Sequence, residues 1–408
     1  MKTLEWWFDF SCPYAYLSST QVEALAERTG AKLEVKPMLL GGVLRAVGQP
    51  QRLFEAHGAE KARHNANDLQ RYANLFGAEY AMPSGHPFRS VEALRAVLVT
   101  GIPMPLIHRI YRAYWVEGRD ISDREVLGAL LTETGHDAAE VLAKIDEQAT
   151  KDDLRRRTDE AIERGVFGAP AFFVDGELYW GQDRMGHVEA ALGGTPGSIE
   201  ANGDFTHPVD FFFDYSSPFA YLGTVRAARS FGAHATWRPM LLGAVFKAVG
   251  QVMVPLFEMS ESKRTFMAAD LQRQAKALGT PFGWPSRFPM NSILPLRVTL
   301  AVGTESPEAK KLVERIFVAY WGEDRDISDP EVVAALATEC GFDGPALVAN
   351  AKEQKQALFD ATNAAVEAEA FGAPTTVVRA EGRPASLYWG SDRVEMAVAA
   401  ARGRDELL

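Results

Sequence analysis

At 408 residues the chain is longer than one typical domain of ~150 residues, and its 47% hydrophobic and 24% charged content excludes a disordered chain. A net charge of −11 with no basic run gathered on one face excludes a phosphate-backbone partner from the expected functions, so nucleic acid is set aside. Two cysteines, Cys12 and Cys340, are too few for a disulfide framework or a zinc site and point to a reducing compartment, with the cytoplasm as the expected location.

In chain order, Met1 to Phe10 is too short and too acidic for a signal peptide, and no later stretch reaches the ~18 uninterrupted apolar residues of a membrane span. Neither export nor a membrane partner is expected. Leu4 to Phe10 is a short apolar and aromatic run that fits a buried strand. Pro13 follows at the place where a helix starts well, because proline lacks the N–H that the first turn leaves unused. Leu33 to Leu40 reads as a second strand. Arg45 to about Glu163 is then dominated by helical spacing, with turns at Met82-Pro83-Ser84-Gly85-His86-Pro87 and Gly118-Arg119-Asp120. Ala171 to Val174, Leu178 to Trp180 and Asp183 to Leu192 give strand, strand and helix. The order βαβ, helices, ββα is that of an α/β thioredoxin-like fold carrying a large helical insertion.

The same order returns in the second half. EWWFDFSCPYAYL from Glu5 matches DFFFDYSSPFAYL from Asp210, and KPMLLGGVLRAVGQ from Lys36 matches RPMLLGAVFKAVGQ from Arg238. NANDLQRYANLFG from Asn65 matches MAADLQRQAKALG from Met267, and RAYWVEGRDISD from Arg112 matches VAYWGEDRDISD from Val318. FGAP occurs at Phe167 and at Phe371, and YWGQDRM from Tyr179 answers YWGSDRV from Tyr388. Matching blocks in one order over roughly 200 residues mean a duplicated domain, not a solenoid of ~20 to 50-residue repeats. Gly193 to Asp204, rich in Gly, Pro, Ser and Asn, marks a linker. The expected domains are therefore 1–194 and 205–408, joined by 195–204.

The chemistry is expected just before the proline of the first helix, at Cys12 in one copy and Ser217 in the other. A side chain there meets unpaired N–H groups and about half a positive charge, which favour an anion. A thiolate is stabilised in such a place, and lowering a thiol from a pKa of ~8.5 by about two units makes it mostly ionised at neutral pH. Helix capping is the plainer role for either residue. The eight histidines are scattered without ligand spacing, so no metal is expected.

The run D-x-x-S-P-[FY]-x-[YW]-L, the R/K-P-x-L-x-x-[GA] strand end, the A-x-D-L helix, F-G-x-P and the closing G-S-D-R closely resemble the 2-hydroxychromene-2-carboxylate isomerases and kappa-class glutathione transferases. Both belong to the thioredoxin-like superfamily that includes the DsbA-type disulfide oxidoreductases. The resemblance covers nearly the whole chain, once per copy. It implies glutathione as cofactor, with Ser217 donating a hydrogen bond to the sulfur and holding it as thiolate. It implies further that Pro374 is a cis-proline exposing the backbone of Ala373 to the tripeptide, and that Ser391 and Asp392 bind its γ-glutamyl end. Asn291 in FPMNS matches the asparagine that faces the electrophile, whereas by its neighbours alone it is a turn residue. Lys247 and Arg287 are guesses for holding a substrate carboxylate, and Phe219, Tyr221, Trp284 and Phe288 suit a flat apolar substrate.

The first copy departs from this pattern at three expected contacts: Cys12 replaces the serine, Arg89 the asparagine and Gln182 the serine of GSDR, while Asp183 remains. One account is a copy that has lost glutathione and serves as a packing partner, so that the chain is an internal pseudo-dimer and monomeric overall. Another makes Cys12 a nucleophile, although Ala15 stands where the redox members place their second cysteine, which removes a dithiol cycle within the motif and leaves a mixed disulfide with glutathione or a buried, inert thiol as the readings of Cys12. Cys340 has no site motif around it. The expected function is glutathione-dependent isomerisation of an aromatic catabolite by reversible thiolate addition. A kappa-type transferase, a thiol-disulfide oxidoreductase using Cys12, and a non-catalytic binding protein are the alternatives.

Overall fold

The computed structural model describes residues 1–51 and 58–408; residues 52–57, inside the stretch read as helical, lie outside the described residues. The first repeat runs β1 (Thr3–Phe8), α1 (Pro13–Thr29), β2 (Lys32–Pro37), α2 (Leu40–Ala46), α3 (Ala59–Phe76), α4 (Val91–Val99), α5 (Met104–Trp115), α6 (Arg124–Glu133), α7 (Ala138–Lys144), α8 (Gln148–Glu163), β3 (Ala171–Val174), β4 (Glu177–Trp180) and α9 (Met185–Leu192). The second runs β5 (Val209–Phe213), α10 (Pro218–Phe231), β6 (Ala235–Pro239), α11 (Leu242–Ala248), α12 (Glu261–Leu278), α13 (Ile293–Val302), α14 (Pro307–Trp321), α15 (Pro330–Glu339), α16 (Gly344–Asn350), α17 (Lys355–Glu367), β7 (Thr375–Val378), β8 (Ser386–Trp389) and α18 (Val394–Ala401).

Each repeat holds one four-stranded sheet, in the order β2-β1-β3-β4 and β6-β5-β7-β8. The parallel pairs are β1 with β2 and β5 with β6; the remaining pairs are antiparallel. Leu4 lies opposite Leu33 on one side and Val174 on the other, and Val209 opposite Ala235 and Val378. The central strands are buried over most of their length, which is why they read as apolar and aromatic runs broken only by Glu5 and Asp210 among their inner residues.

Two boundaries differ from the sequence reading, for one physical reason. The first strand stops at Phe8 because the Asp9 carboxylate accepts from Ser11 N at 2.8 Å and turns the chain. The second strand stops at Pro37 because the other oxygen of Asp9 accepts from Leu40 N at 2.7 Å, where α2 opens. α1 ends at Gly30, whose positive φ of 63° lets Ala31 N reach Ala26 O at 2.9 Å.

The aromatic residues of the strands form the cores. Trp6 stacks on Phe8 at 4.6 Å and Phe10 meets Tyr111 at 4.9 Å, while Tyr215 meets Phe317 at 4.7 Å. Each such side chain contributes roughly 1.5–3 kcal/mol by burial. The helical insertions are tied to the turns after β1 and β5 by one indole each. Trp115 Nε1 donates to Phe10 O and Trp321 Nε1 to Tyr215 O, both at 2.9 Å. Those turns carry Cys12 and Ser217.

Two compact units are present, and each is discontinuous in sequence. One comprises Met1–His57, Asn67–Gly197 and Ser260–Phe266; the other comprises Gly58–Ala66, Ser198–Met259 and Met267–Leu408.

Candidate functional site

Ser217 is the N-cap of α10, with extended backbone (φ −102°, ψ 120°) and Pro218 in the first turn. Its hydroxyl accepts from Ala220 N at 3.1 Å and donates to Ala373 O at 2.9 Å, and the residue is only 5% exposed. The cap and the expected site position are thus one and the same group. Ala373–Pro374 is a cis peptide, as is Ala169–Pro170 in the first repeat.

Close packing explains the small residues of these motifs. A Cβ on Gly372 would lie 2.3 Å from Trp389 Nε1, so FGAP has glycine where the indole covers the turn. A Cβ on Gly223 would lie 2.6 Å from Pro374 Cγ, so glycine on the second turn of α10 lets the helix approach the proline. Pro374 O in turn accepts from Gly390 N at 3.0 Å, joining FGAP to the GSDR segment.

Ser391 is buried and donates to Gln274 Oε1 at 3.2 Å; Gln274 Nε2 donates to Asp270 Oδ2 at 2.8 Å. This chain links the Ser391 segment to α12. Asp270 was within reach of the sequence through A-x-D-L, but Gln274 carries no motif, since only the fold brings it under Ser391. Asp392 forms an ion pair with Arg393 at 3.0 Å.

Asp214, three residues before Ser217, is fully buried. Its carboxylate accepts from Ser216 N at 2.9 Å and Leu242 N at 2.7 Å, and from the hydroxyls of Ser216 and Ser292. Burial pushes this carboxyl above the usual Asp range, against the pull of those donors.

The other expected residues are placed differently. Asn291 is exposed, and its Oδ1 accepts from Ile293 N at 3.0 Å, which is the turn role at the start of α13. Among the described residues no hydrogen bond joins it to Ser217. Arg287 is ion-paired with Asp326 at 2.7 Å, with its side chain largely exposed. Lys247 is exposed in the last turn of α11. Trp284 is 42% exposed and packs against Phe288, Trp321 and Phe282 at 5.1, 5.9 and 6.5 Å. The loop leading to it is held to α10 by Tyr221, whose hydroxyl donates to Pro281 O and pairs with Thr280 Oγ1, each at 2.7 Å. Phe219 is half-buried in the first turn of α10.

In the first repeat Cys12 has the same backbone conformation (φ −101°, ψ 116°), and its thiol donates to Ala169 O at 3.1 Å. Burial pushes this thiol up to about 12; the N–H groups of Ala15 and Tyr14 pull it down, and the charge of Asp9 pushes it up further. Desolvation outweighs the pull of the helix terminus at Cys12 and favours the neutral thiol over the thiolate. Arg89 is exposed and paired with Glu92 at 3.2 Å, and Gln182 is buried. Cys340 lies at the C-terminal end of α15.

Among the described residues no group of three or more His, Cys, Asp or Glu is arranged to hold a metal ion, and no helix is long and apolar enough to cross a membrane.

A family model described as the DSBA-like thioredoxin domain matches residues 3–193 and again 208–401. A 2-hydroxychromene-2-carboxylate isomerase of Sphingobium xenophagum is 29% identical over 196 residues, 47% of this chain and 98% of that protein. One from Pseudomonas sp. (strain C18) is 30% identical over 200 residues, 47% of this chain and 91% of its own. Glutathione S-transferase kappa 1 of Homo sapiens is 28% identical over 209 residues, 48% of this chain and 90% of its own. A solved structure of a 2-hydroxychromene-2-carboxylate isomerase aligns with 25% identity and a TM-score of 0.43, over 47% of this chain and 94% of that one. The chain is a tandem pair of DsbA-like thioredoxin domains and belongs to that family, with 2-hydroxychromene-2-carboxylate isomerases and kappa glutathione transferases as its relatives.

Proposed function

We propose that the chain is a glutathione-dependent isomerase of the 2-hydroxychromene-2-carboxylate type, working in its second repeat. The observation that carries this reading is the Ser217 hydroxyl, buried at the start of α10 between Ala220 N and Ala373 O. Its proton is now given to a neutral carbonyl. An anionic sulfur is the stronger acceptor, with charge-assisted hydrogen bonds roughly twice as strong as neutral ones, so the hydroxyl turns to it. The positive end of the α10 dipole favours the same negative charge. Ser217 and the family's backbone-presenting Ala373–Pro374 are adjacent through one hydrogen bond, and Ser391 is held by Gln274, which supports a tripeptide site along this edge.

When bound, glutathione would supply a thiolate nucleophile for reversible addition to an electron-poor carbon conjugated to a carbonyl. The chain's own part is to hold that sulfur as an anion through Ser217 and to orient both molecules. Ser391 and Asp392 take the γ-glutamyl end, and Asp392 exchanges its bond with Arg393 for the amino group. The exposed face of Trp284, backed by Phe288 and Trp321, suits a flat aromatic substrate.

Calorimetric titration of the whole chain with glutathione tests the reading; absence of binding overturns it. Incubation with 2-hydroxychromene-2-carboxylate then separates the two enzymatic forms. An isomerase returns glutathione in full, whereas consumption of glutathione into a conjugate assigns the kappa-type transferase, a reading favoured by the human relative.

A further inference from the structure

Three segments that must agree in position meet at one buried group. The β5–α10 turn, the β6–α11 turn and the start of α13 all donate to Asp214, through Ser216 N, Leu242 N and the Ser292 hydroxyl. Among the described residues no cation pairs with this carboxylate, and the titratable side chain beside it is Tyr215, which Asp214 pushes further above its usual range. The first repeat has the same arrangement. Asp9 accepts from Ser11 N at 2.8 Å, Ser11 Oγ at 2.9 Å and Leu40 N at 2.7 Å, and from the Ser90 hydroxyl. There the residue after the turn is Cys12, so that repeat contains its own sulfur at the position in question, and that sulfur feels the charge of Asp9. A like charge nearby disfavours an anion whatever other groups stabilise it.

On the reading that glutathione binds at Ser217, we propose that Asp214 is the positioning residue of the site: its carboxylate clamps the three segments around Ser217, while its charge opposes the sulfur anion that it helps to place. The two effects have opposite signs and are separable. Geometry favours keeping the carboxylate; electrostatics alone favours removing it.

The test uses the whole protein as parent, Asp214→Asn and Asp214→Glu, with glutathione binding read by calorimetry, thiolate formation by ultraviolet absorbance against pH, and turnover with 2-hydroxychromene-2-carboxylate. Asp214→Asn is expected to move the titration of the bound thiol to lower pH by about one unit. Its turnover falls about tenfold or more, because the amide presents an N–H to a backbone N–H that needs an acceptor. Asp214→Glu keeps the charge and loses turnover without that shift. Asp9→Asn loses thermal stability to a similar degree but leaves the titration of the bound glutathione thiol where it was. An unshifted titration in Asp214→Asn with glutathione still bound overturns the inference, as does an equal shift in Asp9→Asn. Failure of the parent to bind glutathione overturns the Ser217 reading instead. Should Asp214→Asn not fold, Ser292→Ala loosens one tether only: a severalfold fall in kcat at unchanged glutathione affinity supports the clamp, and parent-like kcat overturns it.

Discussion

Ser217 and Cys12 occupy the same backbone conformation, precede the same proline and donate to the equivalent carbonyl, yet they differ in what they can do. A hydroxyl never has to ionise to serve a borrowed sulfur; a thiol that is itself the nucleophile does, and burial opposes it. Ser217→Ala is therefore expected to lower turnover on the order of a hundredfold, the effect of removing one hydrogen bond to a developing anion, whereas Cys12→Ala leaves turnover near the parent. Equal rates for Ser217→Ala and the parent would remove Ser217 from the mechanism. The Cys12 thiol carries its proton up to about 12 in the folded chain, above its unfolded value. Its contribution to stability is thus complete below the ordinary thiol range and is lost as pH rises toward about 12. Alkylation by iodoacetamide at mildly alkaline pH, followed by mass spectrometry, is expected to be slow in the native protein and fast after unfolding. Rapid native labelling at Cys12 would restore the oxidoreductase reading.

At the scale of elements, the site depends on how near α10 comes to the turn before β7. Gly223 is the residue that sets this approach, since any Cβ there meets the ring of Pro374 at 2.6 Å. Alanine would gain up to about 1 kcal/mol of helix propensity, but overpacking of this kind costs typically 1–3 kcal/mol. The clash falls on the segment proposed to pair with the tripeptide. Gly223→Ala is expected to weaken glutathione binding about tenfold while moving the melting temperature little, measured by calorimetry and thermal unfolding on the same samples. Unchanged affinity would show that Pro374 yields without cost. The element order itself was readable because it rests on local signals: the aromatic runs of β1 and β5, proline at the first turn of α1 and α10, and FGAP before β3 and β7. The ends of β1 and β2 were not, because both are decided by a single side chain, Asp9, reaching from one turn to another.

For the whole molecule, duplication followed by divergence leaves two repeats with the same skeleton and unequal sites. Where the second repeat has the buried Ser391 held by Gln274, the first has the buried Gln182, and its helix start carries a protonated thiol. Glutathione is expected to bind with a stoichiometry near one per chain, and Ser217→Ala combined with Ser391→Ala is expected to abolish the heat of binding. Two equivalents in the parent, or heat remaining in the double variant, would place glutathione in the first repeat as well.

The amino-acid sequence by itself determined the doubling, the thioredoxin-like order of strands and helices, and the cap position before the first-helix proline, since a repeat is read directly from matching blocks and turn and capping residues act between near neighbours in the chain. Tertiary structure decided which groups can be charged and which are already engaged. Cys12 is neutral because residues far away in sequence exclude water from it, Arg287 is ion-paired with Asp326, and Asp214 reaches Leu242 and Ser292 only because two turns and a helix start converge on it. Desolvation and long-range hydrogen bonding are properties of an assembled interior, and no local pattern of residue types encodes them.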